Sequence, residues 1–210
     1  MYYNPMDTQI ARRTKTADGE FTLYTDGTVK RPDGVGKDIN DMLDEPMVVD
    51  NHPGNVFQVI GDVMYVAALK KDRSVIEDML YTDDGEPAHH SLAYIIAVDW
   101  RTWTRVWDRE IGLGGLTAMS ITDEAIYVAG FREYTTNADV RTIVAKIDLS
   151  GDLLWMQEIE AASTPHPTEI DVRPKEISIY VDSYNTFMDR VLRFKLDLTT
   201  KGIIQDINTL

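Results

Sequence analysis

The sequence predicts an all-β chain: a partial β-propeller of three four-stranded antiparallel blades, preceded by an N-terminal arm with a hairpin and a short helix. Three observations predict it. The pentapeptide Ile126-Tyr127-Val128-Ala129-Gly130 is echoed by Met64-Tyr65-Val66-Ala67-Ala68 and Ile179-Tyr180-Val181-Asp182-Ser183. Each copy is followed by a second strand that ends in aspartate: Ala97-Val98-Asp99, Lys146-Ile147-Asp148 and Lys195-Leu196-Asp197. The step from Asp99 to Asp148 equals the step from Asp148 to Asp197. A fixed period of roughly 40–50 residues with several short strands per unit marks propeller blades.

The elements follow in order. Residues 1 to about 19 read as a polar arm with a basic tip at Arg12, Arg13 and Lys15. Phe21-Thr22-Leu23-Tyr24 and Thr28-Val29-Lys30 flank Asp26-Gly27, a strong hairpin signal. Asp38 caps a short helix with Ile39, Met42 and Leu43 on one face, and Pro46 stops it. Residues 1–54 are thus arm, hairpin and linker, and residues 55–210 are the repeat domain. Its blades span about 55–111, 116–160 and 168–210. Within them, Ile143-Val144-Ala145-Lys146-Ile147 shows small or polar residues between branched ones, as a strand requires. The turn Asp148-Leu149-Ser150-Gly151 sets a carboxylate where it accepts backbone N–H groups, and a glycine where φ must be positive. Trp107 and Trp155 on the following strands read as core between blades. In the third repeat Gln205 stands where the tryptophan is expected.

These turns resemble those of the quinoprotein-like β-propellers, whose blades share the pattern Asp, x, x, Thr, Gly, Lys, x, x, Trp. Asp99, Thr102 and Trp107 match it; Asp148, Gly151 and Trp155 match with one residue deleted; Asp197, Thr200 and Lys201 match. Trp103 replaces the turn glycine of the first repeat. The resemblance implies blade-like sheets over residues 55–210 and not the family's dehydrogenase activity, because three blades cannot ring its quinone cofactor. An open set of three blades also implies two unmatched apolar end faces. Closure would come from the N-terminal hairpin, from self-association or from docking on another protein.

Composition narrows the function. The chain has 210 residues and a net charge of −14, which repels nucleic acid and anionic lipid. It has no cysteine, so disulfides, thiolate catalysis and cysteine-based zinc sites are excluded. No positively charged, apolar leader opens the sequence, and no apolar run approaches the ~18 residues of a membrane span. A virion or cytoplasmic location is the expectation.

Catalytic and metal signals are weak. His89-His90 near Asp83, Asp84 and Glu86 reads as an acidic loop, since adjacent histidines on a strand point to opposite faces. His166 lies between Pro165 and Pro167, which reads as a stiff linker. Gly112-Leu113-Gly114-Gly115 lacks the Lys-Ser or Lys-Thr of a phosphate cradle. No Gly-x-Ser-x-Gly elbow occurs. No catalytic residue, metal site or cofactor is therefore assigned, and the chain is read as not an enzyme.

The binding candidates are aromatic and arginine residues: Trp100, Trp103 and Arg105 around one turn, and Phe131, Arg132 and Tyr134 at the exit of a strand. The expected function is a structural or binding module of a larger assembly, such as a phage virion or tail. Its partners are other protein subunits or further copies of itself. One alternative is a lectin-like ring that binds carbohydrate. The other is a hydrolase or lyase on a propeller scaffold.

Overall fold

The computed structural model describes residues 9–49, 54–75, 89–132, 141–160, 165–185 and 190–210. The fold is all-β and propeller-like, with four antiparallel sheets following one another along the chain. The first holds β1 (Ile10–Thr16), β2 (Gly19–Tyr24), β3 (Thr28–Lys30) and β4 (Gly36–Asp38). The second holds β5 (Met47–Val48), β6 (Phe57–Ile60), β7 (Val63–Val75), β8 (His89–Asp99) and β9 (Thr104–Leu113). In the third are β10 (Gly115–Ile121), β11 (Ala125–Arg132), β12 (Arg141–Asp148) and β13 (Leu153–Ile159). The fourth comprises β14 (Pro165–Val172), β15 (Glu176–Asn185), β16 (Arg190–Thr199) and β17 (Ile204–Thr209). In the second sheet β5 and β6 share one edge, both pairing with β7.

Three of these sheets correspond to the expected blades, and the N-terminal hairpin belongs to a fourth. Residues 10–16, read as an arm, form β1 and pair in register with β2, Thr14 opposite Phe21. Ala11 is the one apolar side chain that β1 buries, so period-2 alternation is barely visible there. The short β4 escapes notice because Gly34 and Gly36 read as turn. The expected helix is a single 3-10 turn, Ile39–Met42, with the Asp38 carboxylate accepting from Asn40 N at 2.8 Å.

Alternation builds the core. Phe21, Leu23 and Val29 of the first sheet pack toward Phe57, Met64 and Val66 of the second. On β11, Ile126 and Val128 join that same core. Tyr127 and Ala129, one residue out of phase, turn the other way onto Ile177, Ile179, Val181, Leu196 and Leu198 of the fourth sheet. The third sheet is thus covered on both faces, and each large aliphatic so buried contributes roughly 1.5–3 kcal/mol.

The end faces correct a second expectation, because they are polar rather than apolar. On the first sheet, the residues that alternate with Phe21, Leu23 and Val29 are Glu20, Thr22, Tyr24, Thr28 and Lys30, joined by Arg13 and Lys15 of β1. On the fourth, Lys195 Nζ lies 2.8 Å from Asp197 and 3.8 Å from Glu176. Arg193 bridges Asp182 at 3.6 Å and Glu169 at 3.8 Å, and its guanidinium covers the Tyr180 ring.

Candidate functional site

The tight turns between the third and fourth strands carry a recurring seat. In the first, third and fourth sheets the same two backbone bonds close a five-residue loop. Gly34 N donates to Arg31 O at 2.9 Å, Gly151 N to Asp148 O at 3.1 Å, and Gly202 N to Thr199 O at 2.9 Å. Arg31, Asp148 and Thr199 N donate in turn to Val35, Asp152 and Ile203 O. The fourth residue is glycine each time, with φ of +84°, +94° and +80°, a region L side chains avoid.

Two of these seats are filled by tryptophan from the preceding sheet. The Trp107 indole lies on Gly151 and its Nε1–H donates to Leu149 O at 3.1 Å. Trp155 lies on Gly202 and donates to Thr200 O at 3.2 Å. A Cβ built on Gly151 or Gly202 would approach Cδ2 of the ring to 2.7 or 2.8 Å, so the glycine is required by space as well as by φ. The expected place of Trp107 and Trp155 between blades holds.

The fourth sheet has no tryptophan on its outer strand, as expected, but the residue in that position is Asp206 rather than Gln205. Trp107 and Trp155 each follow a bulge in the outer strand, and Asp206 follows the corresponding bulge opposite Asp197. The β16–β17 hairpin runs further past its aspartate before turning, which shifts the alignment read from sequence. Asp197 consequently lies outside its turn and pairs with Lys195 and Ser178.

In the other two turns the aspartate does accept backbone N–H groups. Asp148 takes the Ser150 hydroxyl at 2.7 Å, Ser150 N at 2.9 Å and Asp152 N at 2.8 Å. Asp99 takes Thr102 N at 2.8 Å and Arg101 N at 2.9 Å. The Ser150 hydroxyl, followed by the Asp152 N–H, holds the Asp148 carboxyl below its ordinary value, and the Thr102 N–H does the same for Asp99. A depressed folded pKa gives stability that is present above the unfolded value and lost as pH falls through the folded one. Thermal stability should therefore drop as pH falls below about 4. Asp148→Asn should flatten that drop, read as melting temperature against pH. Parallel curves for the two proteins would refute the assignment.

The binding candidates fall at opposite ends of the sheets. Trp100, Trp103 and Arg105 lie at the tight-turn end. Trp100 is buried, donates from Nε1 to Gly61 O at 3.0 Å, and meets Phe21 edge-on at 5.1 Å. It seals the first sheet to the second. Trp103, at φ +58°, takes the place the glycines hold elsewhere. No tryptophan reaches it from the first sheet; Lys37 of β4 lies over its ring instead, 5.6 Å from the centroid. The ring is half-buried against the core rather than exposed. Arg105 is exposed and pairs with Asp108 at 3.4 Å.

Phe131 and Arg132 lie at the other end. Phe131 meets His166 edge-on at 5.9 Å, and Arg132 pairs with Glu158. Tyr134 falls outside the described residues, as do Asp83, Asp84 and Glu86. His166, read as linker, belongs to β14. Among the described residues no group of three or more His, Asp or Glu side chains is placed to hold a metal. No helix among them is long and apolar enough to cross a membrane.

Two features escaped sequence reading. One is that the Gly34 turn belongs to the same series, because it lacks both the Asp and the Trp of the repeat. The other is a concavity of about 260 Å³ on the free face of the first sheet, lined by Tyr24, Thr28, Lys30, Gly34 and Gly36.

No protein-family model matches the chain, and no curated protein does. Solved structures do resemble it. Two single-residue mutants of the Synechocystis apocarotenoid oxygenase superpose with TM-scores of 0.54 and 0.53 at 10% identity. Each match covers 94% of this chain and 47% of that one. An alpha-L-arabinofuranosidase from Clostridium thermocellum gives a TM-score of 0.46 at 12% identity, over 97% of this chain and 73% of that one. The chain thus spans about half the length of the oxygenase structures, and the likeness is one of fold.

Proposed function

We propose that this chain is a non-enzymatic structural or binding module that docks other protein subunits within a larger assembly. A band of exposed aliphatics on the outer rim carries this reading. Val106 and Leu154 are the extra residues of the bulges that precede Trp107 and Trp155, so they hold the same place in neighbouring sheets. Leu153, Ile203 and Ile204 continue the band at the same tight-turn end. Val106 and Leu154 are each 52% exposed and Ile203 is 62% exposed. Scattered apolar residues are ordinary on a surface, but exposed aliphatics at one end of three successive sheets of a −14 chain, two of them at equivalent bulges, are suited to a protein partner.

The alternatives find less support. A lectin-like mode needs aromatic faces open to sugar, whereas the recurring Trp107 and Trp155 cover Gly151 and Gly202. A hydrolase or lyase would draw polar side chains from the inner strands. Residues 115–119 of β10 are buried and mostly apolar, and its Thr117 hydroxyl donates to Pro167 O at 2.7 Å. A virion or phage-tail setting is one place where such a module serves, by analogy of fold alone.

The test is photo-crosslinking in cells that make the protein, with benzoylphenylalanine at position 154 and, as control, at the exposed Lys175. A discrete protein adduct from position 154 and none from 175 is expected. Unselective labelling at both, or turnover of a glycoside or ester by the purified chain, would overturn the reading.

A further inference from the structure

We propose that the Gly34 turn is an empty docking seat for a tryptophan carried on the outer strand of a partner polypeptide's β-sheet. The proposal rests on the docking-module reading and names the chemistry of one partner. The seat continues, by one step beyond the first sheet, the series of contacts that joins the second sheet to the third and the third to the fourth. The three turns share their backbone bonds and their left-handed glycine. At Gly151 and Gly202 an indole covers the glycine, whereas a Cβ on Gly34 would meet nothing within 4 Å. The glycine instead opens onto the concavity formed with Tyr24, Thr28, Lys30 and Gly36.

The remaining parts of the seat are also in place. In the filled seats the indole N–H bonds to the carbonyl two residues before the glycine, Leu149 or Thr200. The corresponding carbonyl here belongs to Pro32. Lys30 lines the hollow with an ammonium on a flexible stem, a group that favours an aromatic face. The chain has four tryptophans, and all of them lie in the second and third sheets, so none of its own fills this seat. A second copy stacked in the same sense would offer Asp206, a carboxylate, at the tryptophan position. None of residues 1–210 therefore supplies the indole, and we assign it to a partner polypeptide.

The seat can be tested without the partner by titrating the ¹⁵N-labelled protein with N-acetyl-tryptophanamide, and in parallel with N-acetyl-leucinamide. Saturable amide shifts confined to Gly34–Gly36, Tyr24 and Thr28 are expected with the indole probe alone. Gly34→Ala, whose Cβ occupies the ring's place, should abolish them. No shift at Gly34, or equal shifts with the leucine probe, would overturn the proposal. Shifts at Gly34 that appear with protein concentration alone would assign the face to a second copy and overturn it too. Because the crosslinking test reads the outer rim, a failure here leaves the docking-module reading standing, and a failure there does not move Gly34.

Discussion

Trp107→Ala is expected to destabilise the fold by about 3 kcal/mol. The side chain links the outer parts of the second and third sheets, beside Arg109, which donates to Gly151 O at 2.8 Å and pairs with Asp152 at 3.1 Å. Its ring lies on Gly151, its N–H is bonded to Leu149 O, and Tyr65 flanks it with ring centroids 6.0 Å apart. Truncation leaves a void over a backbone turn that cannot collapse, because two backbone bonds and the Asp148 carboxylate fix its shape. The Leu149 carbonyl loses its donor as well. Sheets stacked in a row are stabilised by their nearest-neighbour interfaces. A loss at the second-to-third interface therefore divides the stack in its middle, and the urea transition should broaden or split as well as shift. A cost below about 1 kcal/mol with an unchanged transition would mean that the buried aliphatics and the Arg109 contacts hold this interface without the indole.

Much of this interface was legible in the sequence, for a physical reason. Strand alternation, a turn aspartate, a left-handed glycine and a recurring tryptophan are all local requirements, and the 126–155 segment satisfies every one. Legibility failed where a requirement is met by something nonlocal. β1 buries only Ala11, so its pairing with β2 left no alternation to read. The outer face of β15 alternates the half-buried Tyr180 and Asp182 with buried Ile179 and Val181. That pattern marks one face as polar, whereas the blade analogy implied an unmatched apolar end face there.

The candidate site was less legible than the fold. Trp100 looks like a surface aromatic in a charged turn, yet the carbonyl of Gly61 and the ring of Phe21 bury it. Neither partner is visible from spacing around Asp99. Trp103 was recognised as the odd residue in a glycine position, but its half-burial follows from the first sheet, which the sequence did not reveal. Trp100 and Trp103 stand apart from Phe131 and Arg132 for a topological reason. The former follow a third strand and the latter end a second strand, and in an antiparallel sheet those points lie at opposite ends.

Gly151→Ala should cost about 3 kcal/mol, while Gly34→Ala should cost only about 1 kcal/mol. The two glycines sit at the same place in the same turn, with φ of +94° and +84°, so the backbone penalty is shared. What differs is occupancy. An alanine Cβ at 151 would lie 2.7 Å from Trp107 Cδ2 and 2.9 Å from Cγ, and must push out an indole tethered by its own hydrogen bond. At 34 the methyl projects into open space. Urea unfolding of both variants gives the comparison, and a double-mutant cycle supplies its control. In the Trp107→Ala background the cost of Gly151→Ala should fall to about 1 kcal/mol, the value at Gly34. If Gly151→Ala stays near 3 kcal/mol without the tryptophan, the turn itself is the sensitive element. Equal small costs at both glycines would mean that the indole shifts freely and that neither turn is a rigid seat. The predicted inequality, and its removal with Trp107, would show that this turn is built to be covered, which is the physical premise for expecting a tryptophan at Gly34.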